Sequence, residues 1–355
     1  MLKSSAEMSG RLVAQTLAGA WRRRPPALEL EMAELDRIAP QLLASGAGAL
    51  AWWRVRHSDA HSSSAFTDLQ QAYRLHTLQA LIHEQKIEQV FKLLNAAGIE
   101  PMLVKGWAAA RLYPEQGLRP YGDIDLCVRA EQFKAAQAAL RSVPELQYSV
   151  DLHCGFEKFG GGRFDELAAR SQSFQLGETS VSAASAEDHL RILCVHLLRE
   201  GAWRPLWLCD IAAAVEARAT NFDWDCCLTE DRRLADWVIC ALTLAHQLLD
   251  ARIHGIPAVE RTGPLPQWLV PTIMKEWEAS LSSMSWRHRA PLSNFLRHPV
   301  GVLKGLRHHW PNPIEATIGM RGSFNDLPRL PFQLGNCLAR TAKFAARWPK
   351  SRRQK

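Results

Sequence analysis

The stretch LVKGWAAARLYPEQGLRPYGDIDLCV, residues 103–128, decides the fold. It opens on a short apolar run that Gly106 ends. It then returns to helical spacing through WAAARLYP and loosens into a Pro- and Gly-rich loop over residues 114–122. In the closing DIDLCV segment the side-chain period of two places residues 123, 125 and 127 on one face of a strand and Ile124, Leu126 and Val128 on the other. Downstream, EQFKAAQAALR (131–141) reads as a compact helix and QYSVDLH (147–153) as another strand. Strand, helix, strand, helix, strand is the pattern of a small mixed sheet.

Working outward, both flanks are helical. Residues 28–43 carry apolar positions at helical spacing, SGAGAL interrupts them, and HSDAHSSS (57–64) makes a hydrophilic loop. A long helix is predicted over residues 67–97. Its apolar stripe runs through Leu75, Leu78, Ile82, Ile87, Val90, Phe91 and Leu94, and Gly98 stops it. Beyond residue 160, SAED (185–188) resembles a capping box ahead of HLRILCVHLLRE, with Gly201 at its end. Further helices are expected over 207–217, 233–249 and 331–347, with short helices and loops between 255 and 331. The fold class is therefore α+β: an N-terminal helical region (1–98), a small mixed-sheet core (99–180), a C-terminal helical domain (181–345) and a basic tail (346–355).

Composition narrows the class. With 47% hydrophobic and 22% charged residues, the 355-residue chain is an ordinary globular sequence. No run of 18 apolar residues exists, so no transmembrane segment is expected. Eight cysteines without a CxxC pair fit a reduced, cytoplasmic setting. The net charge of +7 concentrates at the end, where Arg340, Lys343, Arg347, Lys350, Arg352, Arg353 and Lys355 crowd the last 16 positions. That cluster reads as a solvated tail able to touch phosphates. Nucleic acid is not favoured as a partner, because the thirteen tryptophans form no aromatic ladder interleaved with basic residues.

The chemistry concentrates in three carboxylates. Asp123 and Asp125 project from one strand face about 6.6 Å apart, and a helix between Asp125 and Asp151 gives enough chain for a crossover that brings Asp151 alongside. Such a set binds hard divalent cations, as phosphoryl transfer requires. Gly122 leaves room for a ligand beside the pair. The Lys105-Gly106 turn precedes a helix whose backbone amides favour phosphate, and the planar fork of Arg119 matches phosphate oxygens. His153, on the same strand face as Asp151, and His196 and Asp210, on following helices, are candidates for an acceptor pocket. Each has a plainer reading: a solvated acidic strand face, a hydrogen-bonded histidine at a sheet end, a buried polar pair between helices.

These motifs also carry a resemblance. LVKG, LYP, the RPYGDIDLCV segment and VDLH resemble the signature of an uncharacterised nucleotidyltransferase family, and ILCVHLLREGAWRPLWLCDIAAAV resembles its helical continuation. The resemblance covers most of residues 70–250. It implies a core of the DNA polymerase beta type, which transfers a nucleoside monophosphate from a nucleotide triphosphate to an acceptor and releases pyrophosphate with the help of Mg2+ or Mn2+. By that resemblance Asp123 and Asp125 bind metal, and Asp151 binds the catalytic metal and helps activate the acceptor. The broader superfamily has Gly-Ser where this chain has Lys105-Gly106, a form the narrower family shares. The expected function is nucleotidyl transfer to an unidentified acceptor: a small molecule, glycan precursor, peptide or protein. The alternative is a catalytically silent nucleotide-binding or scaffold protein of the same fold.

Overall fold

The computed structural model describes residues 5–58, 63–156, 160, 162–256, 263–278 and 310–351. Helices α1 (Ser5–Leu17), α2 (Met32–Ala44), α3 (Gly48–Val55) and α4 (Ser64–Ala96) lead into the sheet region. There β1 (Met102–Leu103), the single-turn α5 (Trp107–Ala110), β2 (Ile124–Val128), α6 (Phe133–Arg141), α7 (Pro144–Gln147), β3 (Val150–Cys154), α8 (Phe164–Ala169), β4 (Gln172–Leu176) and β5 (Thr179–Ala183) follow one another. Among the described residues after the sheet come helices α9 (Ala186–Arg199), α10 (Pro205–Glu216), α11 (Trp224–Leu228), α12 (Arg232–Leu249), α13 (Leu269–Glu278), α14 (Pro313–Gly319) and α15 (Leu330–Ser351). None of the described helices is long and apolar enough to cross a membrane.

The five strands form one mixed sheet in the order β3-β2-β1-β5-β4, so the fold is α+β. The crossover through α6 and α7 returns β3 parallel to β2, while β1 is antiparallel to β2 and parallel to β5. The alternation read in DIDLCV holds. Ile124, Leu126 and Val128 pack against Ile87, Val90, Phe91 and Leu94 of α4 and Ala136 and Leu140 of α6. Cys127 faces the other side, in a smaller cluster with Met102, Val104, Phe156, Leu167 and Ile192 of α9.

Three expectations change. The β4–β5 hairpin escapes sequence reading because its outward positions are polar and its strands are short. Gly177, at φ +57°, supplies the left-handed turn residue, and β5 spans the boundary expected at residue 180. The apolar stripe of α4 is two faces rather than one. Ile87, Val90, Phe91 and Leu94 are buried, whereas Leu75, Leu78 and Ile82 are 54%, 62% and 53% exposed. At about 100° per residue, Leu78 and Ile82 lie about 200° from buried Ala80, on the opposite side of the helix. Finally, the helical regions expected at the two ends share one core, in which Leu17, Leu35, Leu42 and Leu50 join Leu198, Leu206, Val238, Leu242 and Ile273.

The capping box expected before α9 is present in part: the Ser185 hydroxyl accepts from the Asp188 backbone N–H. Arg340 pairs with Glu315 at 2.9 Å. The basic side chains from position 343 onward lie outside the described residues.

Candidate active site

Parallel pairing of β2 with β3 sets Asp125 opposite Asp151 and Cys127 opposite His153. With a period of two, both pairs share one face of the sheet, so His153 sits diagonally across from Asp125. Its Nε2 lies 3.3 Å from Asp125 Oδ1 and 3.3 Å from Asp151 Oδ2. Donor atoms of Asp125, Asp151 and His153 all fall within 4.8 Å of one another, an arrangement able to hold a metal ion. Asp125 and His153 are buried, and Asp151 is 55% exposed, leaving one side of the cluster open to solvent.

Lys105 completes the immediate surroundings, with Nζ 2.7 Å from Asp125 Oδ1. Burial by itself would raise the Asp125 carboxyl, but the hydrogen bond from His153 and the Lys105 ammonium overcome it and hold the group at about 2. Asp123 stands just ahead of β2, and burial together with the like charges of Asp125 and Asp151 pushes its carboxyl upward against the pull of Lys105. Three carboxylates are therefore opposed by one ammonium. The imbalance of two negative charges matches one divalent cation, and carboxylate oxygens with an imidazole nitrogen are a donor set able to hold one.

The glycines flank this cluster differently. Gly106 adopts φ +45°, and a Cβ there would stand 3.8 Å from Asp125 Oδ2, so its backbone passes close to the carboxylate. The helix expected to follow it is a single turn, Trp107–Ala110, too short for a cooperative dipole to favour phosphate strongly. A side chain at Gly122 would meet nothing within 4 Å, which leaves open space beside Asp123.

Arg119 and Asp210, expected as a phosphate ligand and an acceptor-pocket residue, instead form one buried ion pair. Nη2 donates to Asp210 Oδ2 at 2.7 Å, Nε donates to both carboxylate oxygens, and the Tyr113 hydroxyl donates to Oδ1 at 2.8 Å. The side chains are 6% and 0% exposed. This corrects the reading of Arg119, because a guanidinium enclosed with its own carboxylate has little left for phosphate. The pair fixes the loop before β2 to α10. On the other side of the loop Trp107 Nε1 donates to Glu84 of α4 at 3.1 Å and Thr77 Oγ1 to the Gln116 carbonyl at 3.2 Å. Asp123 and Asp125 are thus delivered by a loop anchored to both helical layers.

His196 packs edge-on against Trp207, with centroids 4.6 Å apart. Burial lowers its pKa well below the ordinary range, with the positive charge of Lys105 acting the same way and Asp125 against it. Sequence reading assigned His153 to an acceptor pocket and missed its place between the two carboxylates. The signal was present in VDLH, where position 153 repeats the face of 151.

A family model described as uncharacterised nucleotidyltransferase matches residues 31–143 and 145–250. The chain belongs to the uncharacterised nucleotidyltransferase family. As a nucleotidyltransferase it is a transferase of phosphorus-containing groups, and the matched region contains the whole Asp123, Asp125, Asp151 and His153 constellation as well as Lys105. No curated protein and no solved structure matches it.

Proposed function

We propose that the chain transfers a nucleoside monophosphate from a nucleotide triphosphate to an acceptor, releasing pyrophosphate, at the cluster built by Asp123, Asp125, Asp151 and His153. One observation carries this reading: the β2–β3 register sets two carboxylates opposite each other with an imidazole nitrogen 3.3 Å from both. Asp125, Asp151 and His153 would hold the divalent ion, with Asp123 contributing from the open side. Such an ion, Mg2+ or Mn2+, would supply positive charge to the phosphate oxygens and lower the pKa of an acceptor hydroxyl.

The chain's own groups do the positioning. Before an ion binds, His153 holds the two carboxylates in a fixed relation, and Lys105 places an ammonium where negative charge builds on the phosphate. Asp151, the most solvent-accessible member of the metal-ligating trio, is the group an acceptor hydroxyl reaches and the one that takes its proton. The anchored loop keeps Asp123 and Asp125 from drifting as substrates exchange.

A second reading, nucleotide binding without turnover, draws on the Lys105–Asp125 contact at 2.7 Å, since an ammonium already neutralises a carboxylate the metal needs. The two readings part in one experiment. Purified protein is incubated with α-phosphate-labelled ATP, GTP, CTP or UTP, divalent metal and a cell extract as acceptor source. Label transfer with pyrophosphate release, absent in Asp123→Asn, supports the transferase. Thermal stabilisation by a nucleotide without label transfer supports the silent binder. Neither effect with any of the four nucleotides rejects both.

A further inference from the structure

Arg204 caps the N-terminus of α10, and the fold gives its guanidinium a seat without a counter-charge. Its Nε donates to the Ser45 carbonyl at 2.6 Å. Gly46, at φ +75°, is shaped around it: a Cβ there would collide with Arg204 Nη2 and stand 3.3 Å from Pro120 Cγ, next to the loop that delivers Asp123. Among the described residues no carboxylate forms an ion pair with Arg204, and neither terminal nitrogen has a hydrogen-bond acceptor. Arg119 and Lys105, by contrast, both hold carboxylates.

The surroundings hold the group in place without neutralising it. The guanidinium lies 5.8 Å from the Trp207 ring, which in turn contacts His196 at 4.6 Å and Trp203 at 5.2 Å. Burial pulls the Arg204 pKa down to about 10, and the Arg119 charge pushes the same way, while Asp210, Asp123 and Tyr113 act against them. Arg204 as a whole is half-buried, so its terminal nitrogens, which have no protein acceptor among the described residues, stay open to an anion from solution. Gly46 brings the Arg204 guanidinium alongside Pro120, three residues ahead of Asp123, so an anion gripped there lies beside the carboxylate cluster.

We infer that Arg204 is the residue that grips the phosphate chain of the nucleotide, its two terminal nitrogens donating to oxygens of a polyphosphate bound between α10 and the start of β2. A fork with two unengaged donors fits phosphate bidentately, which a lysine could not do. This inference rests on the nucleotidyl-transfer reading and adds to it a binding residue on the helical body.

The test uses the full-length protein and magnesium tripolyphosphate as probe, alongside the four nucleoside triphosphates, with binding followed by calorimetry. Arg204→Met is expected to bind tripolyphosphate ten- to a hundredfold more weakly than wild type. Its unliganded melting temperature should change little, because the half-buried guanidinium makes a single hydrogen bond to the protein, to the Ser45 carbonyl. Arg204→Gln, which can still donate to the Ser45 carbonyl, serves if the methionine variant does not fold and is expected to show the same loss. Wild-type affinity in the folded variant overturns the inference and leaves the proposed reaction standing. A lowered melting temperature with unchanged affinity overturns it in favour of a purely structural arginine. Failure of the wild-type protein to bind tripolyphosphate or any nucleotide sinks the proposed function itself, and this inference with it.

Discussion

Replacing Arg119 with methionine separates two roles that the sequence alone left together. Methionine keeps the aliphatic volume and removes the charge, so Asp210, 0% exposed, is left with the Tyr113 hydroxyl as its hydrogen-bond donor among the described residues. Breaking a buried pair from one side costs about 3–5 kcal/mol, because the remaining charge is uncompensated. At about 2.1 cal/mol/K per residue, a 355-residue chain has an unfolding entropy of about 0.7 kcal/mol/K, and the expected fall in melting temperature is about 4–7 °C. The double variant Arg119→Met, Asp210→Asn removes the stranded charge while keeping an acceptor for Tyr113, and should recover most of the loss. Calorimetry on the two single variants and the double variant measures the coupling. A methionine variant that melts within about 1 °C of wild type but binds nucleotide poorly would refute the structural assignment and restore Arg119 as a phosphate ligand.

Other outcomes follow from the same geometry. Asp123→Asn and Asp151→Asn should each lower turnover at least about a hundredfold, roughly 2.7 kcal/mol in the barrier, with the second sparing nucleotide affinity; equal loss of binding and turnover in Asp151→Asn would make that residue structural. If His153 contributes a nitrogen donor, Mn2+ should activate better than Mg2+, and His153→Ala should erase that preference; a metal ratio unchanged by the substitution removes His153 from the ligand set. His189 is enclosed, and burial lowers its pKa from the ordinary 6.5 to about 4. Between those values the unfolded chain binds the extra proton, so stability should decline as pH falls below 6.5 and this decline should level off near 4. His189→Phe should flatten the melting-temperature profile between pH 6.5 and 5, above the range where Asp125 titrates. An unaltered slope would show that His189 is solvated.

The site was more legible than its support. GDID and VDLH expose their chemistry because a strand's period of two is short and local: knowing the strands, one knows that 123, 125, 151 and 153 share a face. The parallel crossover was legible too, from the chain length between Asp125 and Asp151. The β4–β5 hairpin was hidden by polar outward positions and by strands of five residues, whose Phe174, Leu176, Val181 and Ala183 acquire an apolar face only against α4 and the sheet. The α4 stripe misled for a related reason. Apolar residues were counted along a long helix without tracking their azimuth, and two faces were merged into one.

The charged residues show most clearly where a linear reading stops. Lys105, Arg119 and Arg204 are three cations near the same loop, and nothing in the local sequence distinguishes them. The fold separates them by what each meets: Lys105 finds Asp125 at the strand end, Arg119 finds Asp210 on α10, and Arg204 finds a carbonyl, a glycine and an aromatic ring. The two carboxylates and the carbonyl come from positions 20, 91 and 159 residues away along the chain, beyond the reach of any short motif. A cation's role in this site is therefore set by whether the fold supplies its anion. The carboxylate cluster is short of positive charge by two, and the only one of these three guanidinium or ammonium groups without a carboxylate partner sits on the helix next to it. Phosphate carried in with a divalent ion would satisfy both deficits at once, which is why metal and nucleotide should bind this protein cooperatively rather than independently.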